Sequence, residues 1–359
     1  MASGGSRPYN ASTMAAAAGA PQYVILKMDD LTSSWWREWK TLADLVKAED
    51  LRIGFGIFAA SLLDRDAAYD AWISGIARDD RYEIWFHGYT AEGPHGEPGR
   101  EHHGTPYEYQ KNSFDQAREV VLTRCDRILR TFGEHWHGGD ATTVRIFNED
   151  PYYRVWLCAP TEGHGASIDP DRRFPSNGVA MEVPDPANWQ PGYVNFAEFR
   201  REYAGHEADP YLILQGHPWS WTDTSKKPDR TGAVLDRWAE FRKIVAFLRE
   251  RGAVFVTPYE YYRIARGIGK DSAPPAAPAG LAAAREAGAL ILRWQPADDS
   301  GIDCFKIYRD GQPVGLSITS EWRFAGGLRG SQRGSYSVVA VGKSDACSPP
   351  STPVEVLPR

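Results

Sequence analysis

The chain has 359 residues, 42% of them hydrophobic and 25% charged, which is the composition of a folded protein long enough for about two domains. Lys plus Arg is 41 against 47 for Asp plus Glu, a net charge of −6, so no global positive field favours nucleic acid or anionic lipid. No stretch approaches the ~20 apolar residues of a membrane helix, and none of the four cysteines (Cys125, Cys158, Cys304, Cys347) forms a C-x-x-C pair, which argues against membrane insertion, zinc ribbons and thioredoxin-like redox sites.

Residues 1–22 are small, polar and without periodicity, lack the apolar stretch of a signal peptide, and are set apart from the fold as a disordered or added segment. From Tyr23 onward, short apolar runs alternate with helical patterns. YVILKM (23–28), LRIGFGIF (51–58), YEIWF (82–86), YRVWLCA (153–159), YLILQG (211–216) and AVFVTP (253–258) read as strands. Helices are predicted over about 34–48, 66–77, 107–129 and 236–251, with a further helical stretch at TTVRIFNED. Strands separated by helices imply parallel β-structure with right-handed crossovers, as a sheet or barrel over 23–271.

A Pro/Ala linker, SAPPAAPAG (272–280), ends that pattern, and 281–359 alternates as an all-β sandwich. LILRW supplies the Trp294 core position of a fibronectin type III module, IYRDG its Tyr308 strand and SYSVVAV its Tyr336 strand, and the tail resembles such an immunoglobulin-like module. Cys304 and Cys347 are expected either to pair as a disulfide or to remain as two thiols. Cys125 and Cys158 read as small buried apolar residues.

Three strands of the first domain run straight into ionisable residues. YVILKM is followed by Asp29-Asp30, YEIWF by His87, and YLILQG by His217-Pro218-Trp219. In parallel α/β architectures the C-terminal strand edge is where sites assemble. Asp30 and His87 are suitable ligands for a divalent metal, Asp29 is suited to be a general base, and His217 a general acid. Read singly, the aspartates would as readily cap a helix, His87 fill a core, and Gly216-His217-Pro218 form a turn. Adjacent residues of a regular strand face opposite ways, so both aspartates reach one pocket only if the chain turns there.

At this point 23–265 resembles the NodB-type polysaccharide deacetylases, through KMDDLT, EIWFHGYT and LILQGHPWSW, with LADLVKAEDLRIGFGIF, GTPYEYQ and EFRKIVAFLRERGAVFVTPYEYY between and after them. The resemblance implies a distorted (β/α) barrel and metal-dependent removal of acyl groups from amide nitrogen, usually acetyl from amino sugars. It implies Asp29 as base, Asp30 and His87 as metal ligands, and His217 as acid. One departure is plain: where the family places a second metal histidine, four residues after the first, this chain has Ala91. His103 is assigned as the third ligand, with His95, His102, His135 and His137 as alternatives.

Trp35, Trp36, Trp219 and Trp221 flank the strand ends and are candidate walls of a sugar groove, while Trp39 is expected in the core. Glu83 and Glu182 are candidate outer partners, and Arg145 a surface residue. The function expected is a carbohydrate N-deacetylase holding zinc, with cobalt, nickel or manganese chemically admissible, acting on an N-acetylated glycan. An O-acetyl esterase, a small-molecule amidase and a glycan-binding protein with a degenerate metal site are the competing expectations. The sandwich resembles modules of secreted bacterial glycan-processing enzymes, so a secreted or cell-surface location is expected.

Overall fold

The computed structural model describes residues 20–64, 66–137, 139–179, 182–183, 192–193, 195–218, 236–269, 273–287, 289–296, 301–324 and 332–357. In chain order the first domain comprises β1 (Tyr23–Leu31), α1 (Trp36–Ala48), β2 (Ile53–Phe58), α2 (Ala67–Arg78), β3 (Tyr82–Gly88) and α3 (Tyr107–Cys125). These lead into β4 (Thr131–Phe132), α4 (Ala141–Glu149), β5 (Val155–Leu157), β6 (Arg173–Phe174), β7 (Glu182–Val183) and β8 (Gly192–Tyr193). The domain ends with α5 (Phe196–Tyr203), β9 (Tyr211–Gly216), α6 (Arg237–Glu250), β10 (Val254–Val256) and α7 (Pro258–Ala265). Among the described residues no helix is long and apolar enough to cross a membrane.

Eight of these strands form one parallel sheet, in which β1 to β6 follow in sequence order. On its other edge β1 pairs along six residues with β9, while β10 shares the β2 edge of β1 over Tyr23–Ile25. The two outer strands, β6 and β9, are joined by side chains: Ile213 N–H donates to Asn177 Oδ1 at 3.2 Å and the Tyr211 hydroxyl to the Pro175 carbonyl at 3.1 Å. The result is a (β/α) barrel closed on one side by side chains, in line with the parallel architecture expected. The small β7–β8 pair is antiparallel and separate.

The strand sequences are apolar on both faces because both are covered. Val24, Leu26, Met28, Ile84, Phe86, Leu212 and Leu214 pack outward with the helices, whereas Ile25, Trp85, Ile213 and Val256 pack in the barrel interior. Gly56 on β2 makes room for the Trp85 ring, since a Cβ there would lie 2.4 Å from it. The expected helix over 107–129 ends earlier, at Cys125, because Asp126 takes a left-handed conformation (φ 53°) and its N–H closes onto the Leu122 carbonyl. Gln22 also belongs to the fold, donating to the His206 and Asp209 carbonyls.

The second domain has β11 (Ala279–Glu286), β12 (Ala289–Gln295), β13 (Ile302–Arg309), β14 (Gln312–Ser317), β15 (Glu321–Phe324), β16 (Gly334–Gly342) and β17 (Val354–Val356). Two antiparallel sheets result, β11-β12-β15 and β14-β13-β16-β17, enclosing Leu292, Trp294, Phe305, Tyr336 and Val338. Cys304 and Cys347 are free thiols, so the disulfide alternative falls. Both lie opposite Val341, one on either side of β16, which puts them two strand spacings apart, about 10 Å, beyond disulfide reach.

The sandwich docks against the N-terminal ends of β3 to β5. Arg130, 2% exposed, pairs with Asp303 at 2.7 Å and Asp345 at 2.8 Å, and Arg154 reaches Asp303 at 2.7 Å. Lys306 Nζ donates to the Asp126 carboxylate at 2.9 Å, and the Tyr259 hydroxyl to the Lys343 carbonyl at 3.0 Å.

Candidate metal centre

Alternation along the strands sorts the residues that face the barrel interior. Starting from interior Ile25, the same face of β1 carries Lys27 and Asp29. From Trp85 on β3 it carries His87, and from Ile213 on β9 it carries Gln215 and then His217. Each strand is therefore apolar low in the barrel and polar at its C-terminal mouth. Parity alone would turn Asp30 outward, but its φ of +59° and a register shift between Met28 and Leu31 against β2 swing it back. Both aspartates thus reach one pocket, through a bulge inside the strand.

Three ligand atoms converge there. His87 Nε2 lies 3.2 Å from Asp30 Oδ1, His135 Nε2 lies 3.9 Å from the same oxygen, and the donors of Asp30, His87 and His135 all fall within 4.8 Å of one another. His87 Nδ1 is 2.7 Å from the Gly133 carbonyl and donates to it, which leaves Nε2 as the lone-pair nitrogen facing Asp30. Burial, with His87 beside it, pushes His135 down to about 4, so its imidazole is neutral at pH 7. Burial alone would raise Asp30, but the imidazoles around it, His87 first and then His217 and His135, hold it below the ordinary carboxylate range.

Asp30 is 6% exposed, and its Oδ1 has no hydrogen-bond partner among the described residues. A buried, ionised oxygen aimed at two imidazole nitrogens is costly as it stands and is satisfied by a cation. One carboxylate and two imidazole nitrogens with an open side are the donor set of a catalytic metal site, so these residues fit a divalent ion.

Asp29 lies beside this set, 2% exposed. Lys27 Nζ sits 2.6 Å from its Oδ1 and 2.5 Å from its Oδ2, and Gln215 Nε2 donates to Oδ2 at 2.8 Å. His217 Nε2 is 3.7 Å from Oδ2, and the Trp39 indole donates to the Asp29 carbonyl at 3.1 Å. Burial would raise the Asp29 pKa, but Lys27, then His87 and His217, bring it below the ordinary range. Burial likewise opposes the Lys27 ammonium, and Asp29 and Cys158 outweigh it, holding the lysine charged.

The structure brings together Asp29, Asp30, His87 and His217, and adds His135, which had been only an alternative. It does not bring in His103, which is exposed and outside the cluster. The loop after β3 is organised differently: buried Glu101 accepts from the N–H groups of Tyr89 (2.7 Å) and Ala91 (2.8 Å), and His102 is packed among Phe86, Phe114 and Phe132. That carboxylate pins the loop, leaving His95 and His103 in solvent. The side chains of His137 and Glu182, and Trp219 and Trp221 altogether, lie outside the described residues.

Of the proposed groove residues, Trp35 is 37% exposed and lines a groove of about 480 Å³ with Asp30, Thr32, Phe58 and Tyr89. Trp36 does not line it. It is buried on the helix side, packed on Tyr69 and Trp72. Trp39 is in the core as expected, and Arg145 lies on the surface in an ion pair with Glu149. Glu83 is far from the mouth, at the opposite end of β3, where it accepts from Thr131 and from the Tyr259 N–H.

Sequence reasoning missed Lys27 and Gln215, although a two-residue step back from Asp29 and His217 would have found them. It also passed over Trp136, 66% exposed and next to His135, and Glu134, buried and donated to by the Trp156 indole.

No protein-family model matches the chain, and no curated protein matches it. Solved structures do match its arrangement. One is the CE4 domain of a multidomain xylanase from the hindgut metagenome of Trinervitermes trinervoides, at 11% identity and TM-score 0.42 over 69% of this chain and 93% of that one. Another is a family 4 acetyl xylan esterase from Clostridium thermocellum in complex with a cobalt ion, at 12% identity and TM-score 0.43 over 68% and 93%. A third is a CE4 family pseudoenzyme from Bacillus anthracis, at 11% identity and TM-score 0.42 over 66% and 63%. Likeness this remote transfers no chemistry, which comes instead from the side chains at the barrel mouth.

Proposed function

We propose that this chain is a metal-dependent deacetylase acting on an N-acetylated glycan. The observation that carries the reading is the juxtaposition, at one barrel mouth, of an Asp30–His87–His135 donor set with a separate carboxylate and a separate histidine. A divalent metal held by Asp30, His87 and His135, zinc first among those such donors accept, would polarise the acetyl carbonyl and lower the pKa of water.

The chain's own residues supply the proton transfers. Asp29 accepts a proton from the attacking water as its oxygen adds to the acetyl carbon. When the tetrahedral carbon collapses, the C–N bond breaks, and His217 Nε2 gives its proton to the departing nitrogen, leaving acetate and a free amine. Lys27 and Gln215 orient Asp29, and the Gly133 carbonyl orients His87. Trp35 offers a flat apolar wall on which a pyranose face can stack. The degenerate-site alternative rested on Ala91, and His135 supplies the donor that Ala91 lacks.

The sandwich is read in the same proposal as a fibronectin type III module, supported by its three-plus-four strand arrangement and its buried Trp294 and Tyr336. Its presence is the ground for a secreted or cell-surface location.

The test is acetate release from matched N-acetylated and O-acetylated glycans by the zinc-loaded protein, with Asp29→Asn as control. Release from the N-acetylated member, lost in the variant, is the expected result. Release only from the ester makes the chain an esterase, and full activity in Asp29→Asn sinks the mechanism.

A further inference from the structure

Asp29 and Asp30 are adjacent carboxylates, and both approach His87 Nε2, at 3.9 and 3.2 Å. A divalent ion beside His87 would ordinarily attract both. Only Asp30 converges with the imidazoles as a ligand set, and the difference lies in what else each carboxylate touches. Asp30 Oδ1 has no hydrogen-bond partner among the described residues, whereas Lys27 Nζ spans both oxygens of Asp29 and Gln215 adds a donor to one of them.

Building on the metal-site reading above, we infer that Lys27 is a positioning residue that keeps Asp29 out of the metal's coordination shell and so reserves it as the base. The ammonium cannot swing away. Lys27 is 3% exposed, and its Nζ lies over the Trp85 ring at 5.0 Å from the centroid. Trp85 is itself wedged against Gly54 and Gly56, where a Cβ would stand 3.0 and 2.4 Å from its ring. The lysine thus comes from a rigid floor, two residues before its partner on the same strand face. Its positive charge also opposes any drift of a cation from Asp30 toward Asp29. A carboxylate bound to the metal would be a poor proton acceptor, so the ion pair separates two tasks that neighbouring residues would otherwise share.

The test uses the cobalt-loaded full chain, whose visible absorption weakens as the coordination number rises. Asp29→Asn is expected to leave the spectrum unchanged, because Asp29 is not a ligand. Lys27→Met is expected to weaken the band as Asp29 moves onto the cobalt, and the Lys27→Met/Asp29→Asn double variant to restore it. An unchanged spectrum in Lys27→Met, or a changed one in Asp29→Asn alone, overturns the inference. Should Lys27→Met fail to fold, Lys27→Gln, which offers a single neutral donor group, is read by the same two outcomes. In turnover, Lys27→Met should lower kcat by about 100- to 10,000-fold, the range of general-base catalysis, with KM within about threefold and partial rescue in Lys27→Arg. If the wild type releases no acetate from any acetylated substrate, the deacetylase reading fails, and the cobalt comparison still decides the role of Lys27.

Discussion

His87 Nδ1 rests 2.7 Å from the carbonyl oxygen of Gly133, so the end of β4 fixes the tautomer of a histidine that belongs to β3. Two residues later the same segment supplies His135. The candidate metal site is therefore built by adjacent strand ends that lock each other.

Removal of either imidazole should empty the site. His87→Ala and His135→Ala should each lose more metal affinity than the about 10- to 100-fold that an outer partner is worth, measured by elemental analysis and titration. His103→Ala should bind as the wild type does. Equal loss in the His103 variant would return that residue to the ligand set.

The loop that supports His135 has a tight point. Trp136 has a φ of 54° and lies over Gly99, itself at φ +67°, where a Cβ would stand 2.4 Å from the indole. Gly99→Ala should cost about 1–3 kcal/mol of stability from the left-handed backbone alone. It should also weaken metal binding by displacing Trp136 and its neighbour. Urea unfolding and zinc titration on the same protein check both effects.

The acid and the base can be separated by choice of leaving group. His217→Asn should lose about 100- to 10,000-fold on an amide substrate, whose amine must be protonated to leave. An aryl acetate, whose phenolate leaves unaided, should be turned over by that variant at nearly the wild-type rate. Asp29→Asn should fail on both substrates. Parallel losses for His217→Asn on both would assign that histidine to substrate or metal binding.

Much of the site is readable from the sequence. The apolar runs at 23–28, 82–86 and 211–216 are long enough to declare themselves as strands. The ionisable residues at their ends, Asp29-Asp30, His87 and His217, converge because parallel strands end at one edge. β4 is only two residues long, too short to register as a strand, so GEHWH does not read as a strand end and His135 stays one of several histidines. The bulge at Asp30 is invisible for a different reason: alternation describes a regular strand, and φ +59° is a local exception. Trp36 shows the converse. Its neighbour Trp35 faces the groove, and only the phase of α1 turns Trp36 toward Tyr69 and Trp72.

The domain contact carries a pH signature. Burial pushes the Glu83 carboxyl up to about 7, although Thr131 and the Tyr259 N–H bond to it. A folded pKa above the unfolded value of about 4.3 means the folded state holds the proton more tightly. Stability from this group is full below pH ~4.3, falls as pH rises to about 7, and is level above that. Glu83→Gln should gain on the wild type across that interval in urea unfolding at pH 5 and pH 8. A difference that does not change with pH would refute this assignment.

Arg130 should be the most sensitive position at the contact. Its removal leaves Asp303 and Asp345 without their main counter-charge at a buried junction, so Arg130→Met should cost about 3–5 kcal/mol in urea unfolding. A cost under about 1 kcal/mol, the worth of an exposed pair, would show that the sandwich sits loosely.

Six consecutive residues, Arg130 to His135, connect these observations. The first is clamped by the sandwich, the fourth offers the carbonyl that holds His87, and the sixth is a candidate metal donor. This segment, with β4 at its centre, is thus a strut about 18 Å long at most between a foundation and a reactive centre. A shortened protein lacking the sandwich would lose the footing of one end of that strut, and two of the three candidate metal donors are aligned at the other.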